Sequence, residues 1–373
     1  MSRLPKHMPA LDGLRAVAIL MVVLTHVTRG RQAALSIVYD TTNWPTSFAL
    51  PSWLEKIGNA GDLGVQLFFV VSAFTLTVRA SQSNEDFKGY ALRRIFRVGP
   101  GYWLAGLAYT LLAGFAPRLW APDGIAPTDI AVAAAFGSAW QGGASFAVVP
   151  GGWSISAEVA FYIALPVIIR MIDGRIWRAV ALTCLAMVGA ELWAFYLALH
   201  HAWDFFAYRN PLVQAPVFLC GVTAALAAMR FKMPNWPNMA LLLLFVAILL
   251  LPVLHVQGLL QHLPFALLAA GAAALSATHP SRVLASTALG RVGEVSYSMY
   301  LVQFACLYGS LRMAEFLFPS ANWVTMLVHY AFTASASFGL ACLTYKYVEQ
   351  PPIRWAAEQC RRRTRVQLTR MAT

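Results

Sequence analysis

Charged side chains are scarce in this chain: Asp, Glu, Lys and Arg make up 12% of its 373 residues, about half the roughly 25% of soluble globular domains. That scarcity excludes a fully hydrated surface, and the 59% hydrophobic content then points to a polytopic membrane protein. Cysteine is scarce as well. Cys184, Cys220, Cys306, Cys342 and Cys360 form no CxxC pair, which argues against a metal ribbon or a disulfide framework and leaves packing as the reading for most of them. The first apolar run also lacks the marks of a cleaved leader. Asp12 and Arg15 stand at its start, and no small-x-small site follows His26 before Arg29 and Arg31. No separate soluble domain is evident: residues 1–350 read as one membrane domain and 351–373 as a basic cytoplasmic tail, too short to fold and suited to an anionic leaflet.

What is present is a series of long apolar stretches. Ten reach or approach the ~20 residues needed to cross about 30 Å of hydrocarbon: 14–28, 62–79, 98–114, 153–170, 178–198, 211–229, 239–255, 259–277, 293–314 and 323–345. An Ala-rich stretch at 128–140 is weaker and is left outside the membrane. The expected fold is all-α. With the N-terminus in the cytoplasm, six of the 28 Lys and Arg residues (Arg29, Arg31, Lys56, Arg118, Arg209 and Arg312) fall outside and the rest inside. This asymmetry places both termini in the cytoplasm. It also accounts for the net charge of +12 as topology and lipid contact, which argues against nucleic acid as a partner.

Polar residues inside apolar helices cost free energy and so mark function. Arg15 and His26 are eleven residues apart on the first helix, which puts them within about 20° on one face and about 16 Å apart along the axis. An anchoring arginine and a packed histidine explain the same pair by position alone. Arg94 and Arg97, three apart, face the same way and form a fork suited to phosphate oxygens; anchoring at the inner surface explains them without a ligand. Ser154, Glu158 and Tyr162 follow at intervals of four and share a face. Counted from the outer end of its span, Glu158 reaches a depth similar to His26, where a carboxylate can orient an imidazole. Glu191 is a second acid within a span. Gln66 and Ser72 interrupt the second span, and Ser296, Tyr300 and Gln303 form a stripe on the ninth; interhelical hydrogen bonding accounts for these as well as substrate contact does. Pro351 is expected to stop the last helix. The outer loops at 29–61 and 115–152 carry Trp44, Trp53 and paired glycines, and long ordered loops of this kind tend to be functional.

Several of these segments occur together and in order: Leu11-Asp12-Gly13-Leu14-Arg15 with ten residues between Arg15 and His26, Phe68-Phe69-Val70-Val71-Ser72, Arg94-x-x-Arg97 with Pro100 and Tyr102, Trp153-Ser154-Ile155-Ser156-x-Glu158 with Phe161-Tyr162, Ser296-Tyr297-Ser298-x-Tyr300-Leu301, and Glu349 before Pro351. In this the chain resembles the membrane-bound acyltransferase-3 family of bacterial glycan O-acyltransferases. The resemblance implies ten membrane helices in the bacterial inner membrane, acyl-CoA as donor substrate with no permanently bound cofactor or metal, and a glycan or lipid-linked sugar as acceptor. It implies a catalytic role for His26 with Arg15 as its companion, and donor contacts from Arg94 and Arg97. Glu158 is the expected partner of the imidazole. Asp12, Trp153, Ser154, Tyr162 and Tyr300 complete the candidate substrate-binding set, with Tyr162 or Tyr300 facing a developing oxyanion. His26 either acts as general base on a sugar hydroxyl or carries the acyl group transiently. The chain departs from the family pattern at Ala73, where glycine is usual, and at Gln303, where histidine is frequent; no secreted esterase-like domain follows. A transporter or flippase of a lipid-linked glycan accounts for the intramembrane His and Glu, but not for the coupling of Arg94-x-x-Arg97 to Arg15 and His26. A membrane sensor or scaffold is a third reading, and among enzymes a succinyl- or longer-chain acyltransferase competes with an acetyltransferase.

Overall fold

A computed structural model describes residues 4–5, 7–30, 48–82, 86–200, 205–236, 238–244, 246, 262–320 and 322–372. Among these the chain is helical throughout, with no strand beyond two isolated bridges. The elements are α1 (Pro9–Thr28), α2 (Ser52–Asn59), α3 (Gly64–Gln82), α4 (Phe87–Ala113), α5 (Pro127–Ala134), α6 (Ser138–Gln141), α7 (Ser145–Val148), α8 (Gly152–Ile172), α9 (Ile176–Leu199), α10 (Phe205–Arg209), α11 (Pro211–Arg230), α12 (His262–Thr278), α13 (Thr287–Glu294), α14 (Ser296–Leu317), α15 (Trp323–Thr344) and α16 (Gln350–Ala372). The helix starts follow local chemistry. Asp86 accepts from the Gly89 N–H at the head of α4, Asn210 precedes Pro211 and accepts from the Leu212 N–H, and Asn322 accepts from Val324 and Thr325, in each case satisfying a donor that the first helical turn leaves open.

Among the described residues, six segments are long and apolar enough to cross a membrane: Pro9–Thr28, Ser52–Gln82, Gly152–Ile172, Ile176–Leu197, Ala207–Arg230 and Trp323–Arg363. The spans expected at 98–114 and 293–314 fall in α4 and α14, whose 27 and 22 residues suffice in length but whose polar side chains lower their apolar content. The span expected at 259–277 is α12, of 17 residues. The one expected at 239–255 lies for the most part outside the described residues. The Ala-rich 128–140 stretch forms only the short helices α5 and α6.

The core is built around α1, α3 and α11. α1 is buried on most of its circumference and packs against α3, α12, α13, α14 and α15; α11 is buried likewise and packs against α3, α8, α9 and α12. Glycines set these approaches. A Cβ on Gly221 of α11 would lie 2.4 Å from the Val70 carbonyl oxygen of α3, and one on Gly61 would lie 2.2 Å from the Met21 carbonyl of α1. Close backbone contact of this kind is how helices associate where the surroundings are as apolar as the interface. On the outside, α9 exposes Trp177, Leu185, Val188, Leu192 and Phe195, and α4 exposes Leu107, Leu111 and Leu112. Soluble monomers do not expose apolar surface on this scale, and a lipid surrounding meets the need. The protein is a multi-pass membrane protein.

Two features of the C-terminal region differ from expectation. Pro351 does not stop the last helix: a π-helical turn at Tyr345–Glu349 widens the backbone ahead of Pro351 and Pro352, and α16 continues beyond it. The proline N–H groups are missing where a new helical start has no use for them. The tail is accordingly helical, held by Trp355 against Phe96 (ring centroids 4.8 Å apart) and by burial of Ala356 and Cys360.

Gly221→Ala is expected to cost about 1–3 kcal/mol through overpacking and to lower the unfolding midpoint of the detergent-solubilised protein. Gly189→Ala on the exposed α9, where a Cβ meets nothing within 4 Å, should leave that midpoint unchanged or raise it slightly. Equal shifts in both variants would contradict this packing account.

Candidate active site

Arg15 and His26 lie on one helix and are joined to different neighbours. Arg15 Nη1 donates to Asp12 Oδ1 (2.6 Å), one turn away on α1, and Nη2 donates to Thr75 Oγ1 of α3 (3.2 Å). Asp12 also lies 3.2 Å from His7, so its carboxylate serves as counter-ion to Arg15. At the other end of α1, His26 is half-buried, with Nδ1 3.2 Å from Gln303 Oε1 and its ring 4.4 Å from that of Phe304. The partner of the imidazole is therefore Gln303 of α14.

Glu158 does not meet His26. Its Oε1 accepts from Ser72 Oγ (2.5 Å) and Tyr162 Oη (2.7 Å), at the Arg15 end of the bundle and one turn of α3 from Thr75. The reason lies in where α8 begins. Residues 145–149 lead through a turn into α8, with Phe146, Ala147, Val148 and Val149 all buried, so the head of α8 is enclosed by protein and residue counting from Trp153 is a poor measure of depth. Gly151 closes this turn at φ +77°, a conformation that L side chains rarely adopt, and a Cβ there would lie 2.8 Å from Tyr300 Oη. Ser154, one turn above Glu158, is the α8 residue that reaches towards His26. Its Oγ donates to Tyr300 Oη (2.8 Å), Tyr300 Oη donates to the Gly151 carbonyl (2.8 Å), and the Tyr300 carbonyl accepts from Gln303 Nε2 (3.1 Å).

This chain of bonds determines the chemistry of the imidazole. Because Gln303 Nε2 is committed to the Tyr300 carbonyl, the amide presents its oxygen to His26. An oxygen acceptor at Nδ1 requires Nδ1 to carry the proton, which leaves Nε2 with a free lone pair. The same bonds limit the tyrosines: the Tyr162 proton goes to Glu158 and the Tyr300 proton to Gly151, so neither hydroxyl stands ready for an oxyanion. Trp153 is likewise occupied. It is buried against Phe69 and Tyr208, and the Arg209 guanidinium sits 5.5 Å from its ring and 4.7 Å from that of Trp120. Trp53 is exposed, whereas Trp44 lies outside the described residues. Glu191 is exposed on α9 and lines no part of the site.

A cavity of about 370 Å³ runs between α3, α4, α8 and α14, from an arginine-rich mouth to Ser154 and Tyr300. Arg15, Arg94 and Arg97 line it, and so do Arg79 and Arg93, which in the sequence are indistinguishable from topology-setting charge. Arg97 pairs with Glu349, a buried carboxylate on the π-helical turn that also accepts from Ser298, and its guanidinium lies 5.5 Å from the Tyr297 ring. Arg94 lies 5.7 Å from the Tyr162 ring. Among the described residues no group of three or more His, Cys, Asp or Glu is placed to hold a metal ion.

Glu349→Ala, which removes the counter-ion of Arg97, is expected to destabilise the protein by about 3 kcal/mol. The Glu349→Ala/Arg97→Ala double variant should lose less than the sum of the single losses by more than about 1 kcal/mol. Additive losses in thermal unfolding would contradict the pairing.

A family model described as an acyltransferase domain matches residues 8–346, nearly the whole chain. The chain is 26% identical over 349 residues to a protein named "Putative O-acetyltransferase" in Staphylococcus aureus strain MSSA476, the match covering 81% of this chain and 51% of that protein. A protein of the same name in Staphylococcus aureus strain MRSA252 aligns equally well, so the chain spans about half the length of these relatives. It is 25% identical over 355 residues to acyltransferase MdmB of Streptomyces mycarofaciens, covering 85% of this chain and 84% of that one. No solved structure matches significantly. By the family match across its length, the chain belongs to the acyltransferase-3 family.

Proposed function

We propose that this protein is an integral membrane O-acyltransferase, moving an acyl group, acetyl in the first instance, from cytoplasmic acyl-CoA to a hydroxyl of a cell-surface or lipid-linked glycan. In this reading the chain crosses the bacterial inner membrane ten times with both termini in the cytoplasm. The observation that carries the proposal is the cavity itself. It begins among guanidinium groups suited to phosphates and ends at Ser154 and Tyr300, whose carbonyl holds the amide that in turn holds His26. Family membership and the relatives' names support the same reaction class.

The transfer requires a base. Nε2 of His26 accepts the proton of the sugar hydroxyl as its oxygen attacks the thioester carbonyl; the tetrahedral intermediate then expels the thiolate, which takes that proton from the imidazolium. Gln303 keeps the Nδ1 proton in place throughout. Arg15, fixed by Asp12 and Thr75, holds positive charge on the donor side of the cavity. Glu158 holds Ser72 and Tyr162 in the wall rather than orienting the base.

Mass spectrometry of surface glycans from a deletion strain tests the proposal. Wild type should restore an acyl group that His26→Ala does not, and Gln303→Leu should restore about 100-fold less than wild type, the lower end of the range for loss of positioned general-base catalysis. An acyl pattern unchanged by the deletion would contradict the enzyme reading. Equal restoration by His26→Ala would contradict the role of the imidazole alone.

A further inference from the structure

A second cavity, of about 630 Å³, lies between α3, α4 and α8. Arg79, Arg93 and Arg94 line both cavities, so the two spaces meet at these guanidiniums. Apart from these arginines and Arg170 of α8, the second is lined mainly by apolar and aromatic side chains, among them Phe87 and Tyr90 from α4 and Leu165, Pro166 and Ile169 from α8. Tyr90 is fixed there by its hydroxyl, which donates to the Tyr162 carbonyl (3.0 Å).

The charges at the junction are unequal. Arg97 is neutralised by Glu349 and Arg15 by Asp12. Arg79, exposed on the last turn of α3, makes no ion pair or hydrogen bond among the described residues. Arg94 has a buried Nε with no hydrogen-bond partner and leans on the Tyr162 ring. Positive charge without an ion-pair partner among the described residues therefore stands at Arg79 and Arg94 between the two cavities, beside Arg97 of the same Arg94-x-x-Arg97 motif. A ligand filling both spaces needs an anionic middle, one slender arm reaching Ser154 and Tyr300, and one flat apolar end for the Phe87–Tyr90 wall. Acyl-CoA has this order: pantetheine arm, phosphates, nucleotide.

We propose that Arg79 and Arg94 form the phosphate clamp of the donor site and that the second cavity receives the nucleotide, its base against Phe87 and Tyr90. The inference rests on the reading of the chain as an acyl-CoA-dependent transferase. It assigns Arg97, held by Glu349, to shaping the cavity wall rather than to gripping phosphate. Arg79 then acts in binding, with no part in the chemistry at His26.

Calorimetric titration of the purified full-length protein with CoA, adenosine 3′,5′-bisphosphate and pantetheine tests this. Wild type should bind CoA, and Arg79→Gln and Arg94→Gln should each weaken CoA and the bisphosphate about tenfold or more, as expected for loss of a charge-assisted contact. Pantetheine should bind unchanged, Arg79→Lys should recover most of the loss, and Phe87→Ala should weaken the bisphosphate about fivefold or more through lost stacking. Unfolding midpoints equal to wild type establish that the variants are folded; any variant with a lowered midpoint is replaced by competition of the bisphosphate against CoA on wild type, where absence of competition overturns the proposal. CoA affinity equal in wild type, Arg79→Gln and Arg94→Gln would overturn the clamp and leave the transferase reading standing. Wild type that binds none of the three probes would overturn both. Loss in Arg79→Gln of affinity for phosphatidylglycerol vesicles, with CoA affinity kept, would assign the junction to a lipid headgroup and overturn the clamp alone.

Discussion

An imidazole inside a membrane bundle can accept a proton only if one of its nitrogens is kept bare, and the bond between His26 Nδ1 and Gln303 Oε1 decides which one. That bond depends on others. The amide of Gln303 is turned by the Tyr300 carbonyl, the Tyr300 hydroxyl is seated between Ser154 and the Gly151 carbonyl, and the φ of +77° at Gly151 is one that glycine takes at no steric cost. Each member has its hydrogen-bonding capacity used by the next. In low-dielectric surroundings such a chain is rigid when complete and costly when broken. The buried segment 145–149 leads directly into Gly151 and the head of α8, which meets Tyr300 of α14.

The second constraint is the cost of guanidinium charge among apolar helices. An isolated ion in such surroundings loses several kcal/mol of hydration, and a partner of good geometry restores much of it. The protein meets this cost locally for Arg97, with Glu349, and for Arg15, with Asp12. Among the described residues Arg79 makes no ion pair or hydrogen bond, and the buried Nε of Arg94 has no hydrogen-bond partner, both on the wall of an open cavity. The π-helical turn at Tyr345–Glu349 belongs to the same arrangement, since it is the element that brings Glu349 to Arg97 and Ser298.

How much of this is legible in the sequence depends on the range of each interaction. Arg15 and His26, and Arg94 and Arg97, are related within single helices, so helical geometry alone places them on shared faces. Asp12 as the neighbour of Arg15 is legible for the same reason. The partners of His26 and Glu158 are tertiary, and depth counted along a helix identifies them only if every helix starts at the membrane surface. The head of α8 is enclosed by protein, and depth counting matches Glu158 to the wrong end of α1. Arg79 and Arg93 are hidden by a different cause: basic residues at an inner membrane surface are explained by topology whether or not they bind a ligand. Pro351 reads as a stop because proline ends an α-helix, whereas a wider turn ahead of it permits continuation. The all-helical architecture is legible throughout, since it follows from apolar length and composition.

The most direct test of the His26–Gln303 arrangement is the nitrogen-15 chemical shift of His26 in the full-length protein, assigned by difference from His26→Gln. The account predicts a neutral imidazole protonated at Nδ1, with the preference for that tautomer lost in Gln303→Leu. An Nε2-protonated ring, or one whose tautomer is indifferent to Gln303, would contradict it.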